Sequence, residues 1–247
     1  MNVLTEAIKR VSHELSGRKV VTEEEIRKIS MNVLLSFYIS NPELDFVEIE
    51  ERIVESMCSE PETVNSLFYS EKIEIGGVEF RHIHTCSPTG DMVGEAYDEY
   101  LRSKKFFNSL DRMKEITDRF FSGYSVNEGL VRSYSKKKFK YGVFYSTIHD
   151  VEKFLDIHED FSRNFDGEYV VAVTTENEIG PFLKFFRKNS QRVNDSGMKI
   201  WVINAEQMSI DPFIGYPKDF TLLKGFRNPK VASQINSLWR EKVDQID

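Results

Sequence analysis

Three continuous apolar runs punctuate the second half of the chain, at 141–146, 168–174 and 198–204. Each is rich in β-branched and aromatic residues and has the length of a strand rather than of a helix. The spacers between them each hold a helix of roughly three to five turns, so the pattern reads β-α-β-α-β. Strands spaced in this way run parallel, joined by right-handed crossovers, with helices covering the sheet. The expected class is therefore α/β: a Rossmann-like three-layer unit with a parallel sheet over 141–247. Its ligand crevice would lie beyond the strand carboxyl ends.

Upstream the period changes to that of helices. Val3, Leu4, Ala7, Ile8, Val11 and Leu15 fall on one helical face, and Gly17 is a stop signal. Thr22 caps the next helix, with Glu23, Glu24 and Glu25 in its first turn and Ile26, Ile29, Val33, Leu34 and Phe37 facing inward. Asn41-Pro42 ends it. Shorter helices fit 45–57 and 60–69, the second opened by Pro61. The stretch 72–81 then alternates on either side of Gly76-Gly77, a hairpin signal. Helices followed by a hairpin is the order of a winged helix-turn-helix. The spacing thus predicts a helical N-terminal region with a β-hairpin over 1–99, a basic helical connector over 100–140, and the α/β unit with a final helix over 231–243.

Charge sharpens this division. The net charge is −7, yet 1–99 carries 9 Lys and Arg against 20 Asp and Glu, 100–140 carries 11 against 4, and 141–247 carries 13 against 16. The basic stretch can meet phosphates, or else the acidic front of the same chain or of a second copy in a homodimer. Nucleic acid is the less favoured partner, because the expected recognition helix at 60–69 holds Glu60 and Glu62 and no Lys or Arg. With no run of about 18 uncharged apolar residues and a polar start, the chain reads as soluble and cytoplasmic, with no membrane partner. Two cysteines, Cys58 and Cys86, are too few for a disulfide framework.

The strand exits hold the candidate chemistry. Ser146 and His149 follow the first run, Thr174, Thr175, Glu176 and Asn177 the second, and Asn204 and Glu206 the third. Side by side at the crevice mouth, Ser146, Thr174, Thr175, Glu176 and Asn204 would bind a polar small molecule, such as a nucleotide or an S-adenosylmethionine-like cofactor. His149 and Glu206 would be the catalytic pair, with His149 moving protons. The expected function is a group-transfer enzyme, a transferase acting on or using such a ligand. The alternative is a winged-helix-like regulator whose α/β unit senses a metabolite. Helix capping competes for the same residues, with Thr147 and Asp150 as one cap and Asn177 as another.

Other signals are weaker. His82, His84 and Cys86 alternate onto one strand face, with Asp91 or Glu95 near enough in sequence to complete a zinc set, but no second cluster accompanies them, so no metal site is assigned. The dinucleotide, Walker and nucleophile-elbow fingerprints are missing. The order of a helix, two or three strands, a helix and a further strand resembles the restriction-endonuclease-like fold. That resemblance implies an Asp followed by Glu-x-Lys on adjoining strands, and 130–146 holds neither, so a nuclease of that kind would be degenerate or inactive. The turn-rich stretch 210–217 reads as a lid that brings Tyr216 and Lys218 to the crevice.

Overall fold

The computed structural model describes residues 3–15, 20–58, 71–82 and 90–230. It divides into two units, Met1–Asn108 and Ser109–Asp247. Residues 60–69 and 231–243, Gly17, His84 and Cys86, and the side chains of His82 and Asp91, lie outside what is described, and the expectations placed on them go no further. Among the described residues no group of three His, Cys, Asp or Glu could hold a metal ion, and no helix is long and apolar enough to cross a membrane.

The first unit contains α1 (Val3–Leu15), β1 (Val20–Val21), α2 (Glu23–Tyr38), α3 (Phe46–Cys58), β2 (Glu71–Ile75), β3 (Val78–His82) and the start of α4 (Gly90–Phe120). Thr22 caps α2, its hydroxyl accepting the Glu25 amide at 3.3 Å. Gly76 and Gly77 both have positive φ, which the tight β2–β3 turn requires. β1 adds to β3, giving the antiparallel order β1-β3-β2. Phe80 is fully buried with Val20 and with Ala96 of α4. Lys28 and Glu99 form a buried ion pair at 2.6 Å. Burial opposes the Glu99 charge, yet Lys28 and Arg102 together hold its carboxyl down at about 2.

The second unit continues from the end of α4 through β4 (Ser125–Asn127), β5 (Arg132–Lys136), β6 (Phe139–Ser146), α5 (Ile148–Lys153), α6 (Leu155–Asn164), β7 (Glu168–Thr174), α7 (Gly180–Ser196), β8 (Lys199–Asn204) and β9 (Ser209–Ile214). The three apolar runs are β6, β7 and β8, which pair in parallel. The sheet as a whole is mixed rather than parallel, because antiparallel hairpins flank those strands in the order β4-β5-β6-β7-β8-β9. The cause is local. The links after β5 and β8 are too short for a crossover helix, so the chain must return antiparallel. Nor is 100–140 a helical connector. α4 is unbroken to Phe120, and the basic stretch beyond it is strand and turn. The expected lid is β9, where Pro212 is tolerated because an edge strand needs no amide on its outer side.

Alternation along β6 divides the core. Tyr141 and Tyr145 face the end of α4, meeting Phe121 and Thr117, while Gly142 and Phe144 face the α6 side, meeting Phe165 and His158. A Cβ on Gly142 would stand 2.6 Å from Phe165 Cζ and 3.0 Å from Val131 Cγ1. Gly142→Ala is expected to destabilise by about 1–3 kcal/mol in urea denaturation; an unchanged midpoint would mean that Phe165 moves aside without cost.

His158 is fully buried, its Nδ1 2.8 Å from the Tyr169 hydroxyl, and burial pushes the imidazole down to about 3. The unfolded chain takes up a proton near pH 6.5 and the folded one does not. Stability is therefore full above that pH and falls as the pH drops from there toward 3. The loss between pH 7 and pH 5 is expected to be about 2 kcal/mol. Denaturation of His158→Gln should show a flatter dependence in that window; an identical slope would rule out His158 as its source.

A candidate anion-binding groove

The structure puts the expected site residues in unequal settings. Ser146, Thr174 and Asn204 stand at the ends of neighbouring parallel strands. Ser146 and Thr174 are buried, and Thr175, Glu176 and Asn204 are half-buried. Two of the three exits also satisfy themselves locally. Thr147 caps α5, accepting the Asp150 amide and donating to the Asp150 carboxylate at 2.6 Å. Asn204 Oδ1 accepts the Gln207 amide at 2.9 Å, closing the β8–β9 turn in which Glu206 is exposed. His149 is exposed on α5. Residue 179, not Asn177, occupies the cap of α7, without a side-chain hydrogen bond.

A more distinct cavity lies elsewhere in the second unit. The last turn of α4, the β8–β9 turn and a 3-10 turn over Phe220–Gly225 enclose a half-open groove of about 720 Å³, within the usual range for ligand pockets. Its apolar wall includes Phe120, Ile210 and Leu222. Behind the wall, Trp201 packs with Phe120 and Phe226 at ring distances of 5.3 and 5.1 Å. The segment carrying the 3-10 turn is fastened at both ends. The Arg227 amide donates to the Ile210 carbonyl at 3.1 Å, and the Asp219 amide to the Tyr141 hydroxyl at 2.9 Å. The Asp219 carboxylate caps the turn through the Thr221 amide and accepts from the Tyr124 hydroxyl. That hydroxyl, above all, holds Asp219 below the usual carboxylate range. Burial, followed by Asp219, raises the Tyr124 phenol well above its ordinary value.

Four cations line the groove: Arg119, Lys136, Lys224 and Arg227. No Asp, Glu or His is among its lining residues. Arg119 pairs with the exposed Glu115 one turn back, and Lys136 lies over the Tyr124 ring at 5.0 Å. The side chains of Lys224 and Arg227 are exposed and make no ion pair among the described residues. Positive charge converging on a concave, partly apolar surface raises the local concentration of anions. The advance signal in the sequence was the basic stretch 100–140, which holds Arg119 and Lys136 and reads equally well as solvated surface charge.

Residues 99–228 match the family model described as "Domain of unknown function (DUF6834), C-terminal domain", and residues 6–97 match "Domain of unknown function (DUF6846)". No curated protein matches the chain. The two matches meet within α4, and the first contains every element of the described sheet of the second unit together with all four cations of the groove. That match covers more than half of the 247 residues, and the chain belongs to the DUF6834 C-terminal domain family.

Proposed function

We propose that the second unit binds a phosphate-bearing, nucleotide-like ligand in the groove of Arg119, Lys136, Lys224 and Arg227. The observation that carries this reading is four converging cations with no carboxylate among the lining residues. Guanidinium groups bind phosphate oxygens in bidentate fashion and ammonium groups bind them as point charges. The apolar wall suits the base or another flat group. The ligand class is the one expected for the strand exits, and the place differs. Titration of the whole chain with a fluorescent nucleoside triphosphate at about 50 mM salt should give saturable binding that weakens as salt rises. No saturable binding under those conditions would end the reading.

The role is binding without cleavage. Helices packed against both sheet faces support a three-layer arrangement, and the meander β4-β5-β6 followed by parallel β7 supports a resemblance to the restriction-endonuclease-like order. On β5 and β6, however, the side chains that hydrogen-bond to α4 are Arg132, Tyr134 and Tyr145 rather than the acidic and lysine set of such nucleases. Asp118 is occupied by a bidentate Arg132 at 2.9 Å and by the Tyr134 hydroxyl. A second reading keeps a polar metabolite at the strand exits, favoured by the adjacency of Ser146, Thr174 and Asn204. Glu176→Gln would weaken ligand binding there and leave the groove unaffected. In the first unit, the order β1-β3-β2 behind three helices supports the winged-helix-like alternative. The exposed Glu48, Glu51 and Glu55 of α3 favour a basic protein partner over nucleic acid.

A further inference from the structure

We infer that the groove is one end of a track for single-stranded nucleic acid; this rests on the phosphate-binding reading and extends it to a polymer. Thr221 lines the groove and also an adjoining hollow of about 540 Å³ bounded by Lys138, Lys218 and Phe220. That hollow shares Lys138, Phe139 and Lys218 with a third, of about 430 Å³, to which Lys137 and Lys140 contribute. The three concavities thus form one connected surface that runs from the β8–β9 turn to the amino ends of β6 and β7 and is lined by cations throughout.

The carboxylates on this path are largely occupied. Glu168 is buried, accepts the Lys218 amide at 3.0 and 3.1 Å, and pairs with Lys199 at 2.8 Å. Asp219 is held by Tyr124 and Thr221, and only Asp166 takes a cation of the path, Lys140 at 3.2 Å. Lys137, Lys138 and Lys218 are exposed and make no ion pair among the described residues. A polyanion following the surface finds cations available along its length and little opposing charge.

Phe220 decides the kind of polyanion. It is 76% exposed, the most exposed large apolar side chain among the described residues, and it lines the second hollow together with Lys138 and Lys218. It is also firmly mounted, since Asp219 before it is bonded to Tyr124 and Tyr141. An exposed ring on a fixed mount beside a cationic groove is the arrangement on which unpaired bases stack. A duplex hides its base faces and offers nothing to that ring. A membrane surface would favour a protruding apolar cluster, whereas here the cations line hollows in which one ring, Phe220, is exposed and the other, Phe139, is half-buried.

The test measures anisotropy of the full chain with labelled oligo-dT of increasing length, a labelled mononucleotide and a 12-base-pair duplex, and in parallel counts co-sedimentation with phosphatidylserine-containing vesicles. Affinity is expected to rise at least tenfold from the mononucleotide to an oligomer of about eight residues, within the site sizes such modules cover. Phe220→Ala and Lys138→Glu should each weaken the oligomer about tenfold and leave the mononucleotide unchanged, whereas charge reversal in the groove should weaken both. Mononucleotide binding with no gain from length, or oligomer binding indifferent to Phe220→Ala and Lys138→Glu, would overturn the track and leave the groove reading standing. Absence of binding to either nucleotide probe would overturn both. Equal affinity for the duplex would overturn the single-strand assignment. Vesicle binding lost in Phe220→Ala, with no oligomer bound, would reassign the surface to a membrane.

Discussion

Exchanging Lys224 and Arg227 together for glutamate is expected to lower the affinity of the second unit for a phosphate-bearing ligand by about 100- to 1,000-fold near 50 mM salt. Two of the four groove cations would become like charges facing the ligand, which repel as well as fail to attract. For a single-stranded oligomer, the slope of log affinity against log salt should flatten by about 1.4, since each lost phosphate contact removes about 0.7. Folding should be unaffected, because both side chains are exposed and make no ion pair among the described residues. The measurement is a salt titration of both proteins, with the urea midpoint as the control. An unchanged slope with intact folding would show that neither side chain touches phosphate.

Trp201→Ala is expected to cost the second unit about 3–5 kcal/mol. Trp201 is fully buried on β8 and packs with Phe120, Phe121 and Phe226, so its removal opens a large cavity directly behind the groove wall. Its indole Nε1 also donates to the Gly215 carbonyl at 3.1 Å, and the orphaned carbonyl adds to the loss. Trp201→Phe should recover most of the packing but not that hydrogen bond. Urea denaturation read by far-ultraviolet circular dichroism checks both variants. A cost below about 1 kcal/mol for the alanine variant would mean that the aromatic cluster re-forms without the indole.

The centre of the sheet was legible because strands covered on both faces must be apolar along their whole length, and β6, β7 and β8 are. The flanking antiparallel strands were not legible, for identifiable reasons. β5 buries only Tyr134 of its five residues, so charge conceals its alternation. β9 contains Pro212, which looks like loop until the edge position is known. The polar strand exits were visible, but sequence could not separate a ligand contact from a local bond, and Thr147 and Asn204 both form local bonds. The groove could not be read in advance. Arg119 ends a helix, Lys136 ends the second strand of the sheet, and Lys224 and Arg227 follow the last strand; only the folded sheet brings the four together.

The doubly fastened segment around Phe220 bears on how fast a ligand is captured. A loop that had to close over its ligand would impose a slow ordering step and would charge part of the binding free energy to lost backbone freedom. Here the backbone is already pinned to Tyr141 and Ile210, so arrival orders only a few lysine and arginine side chains. The approach itself, guided by the positive rim, then sets the pace, and added salt acts mainly by slowing capture rather than by hastening escape.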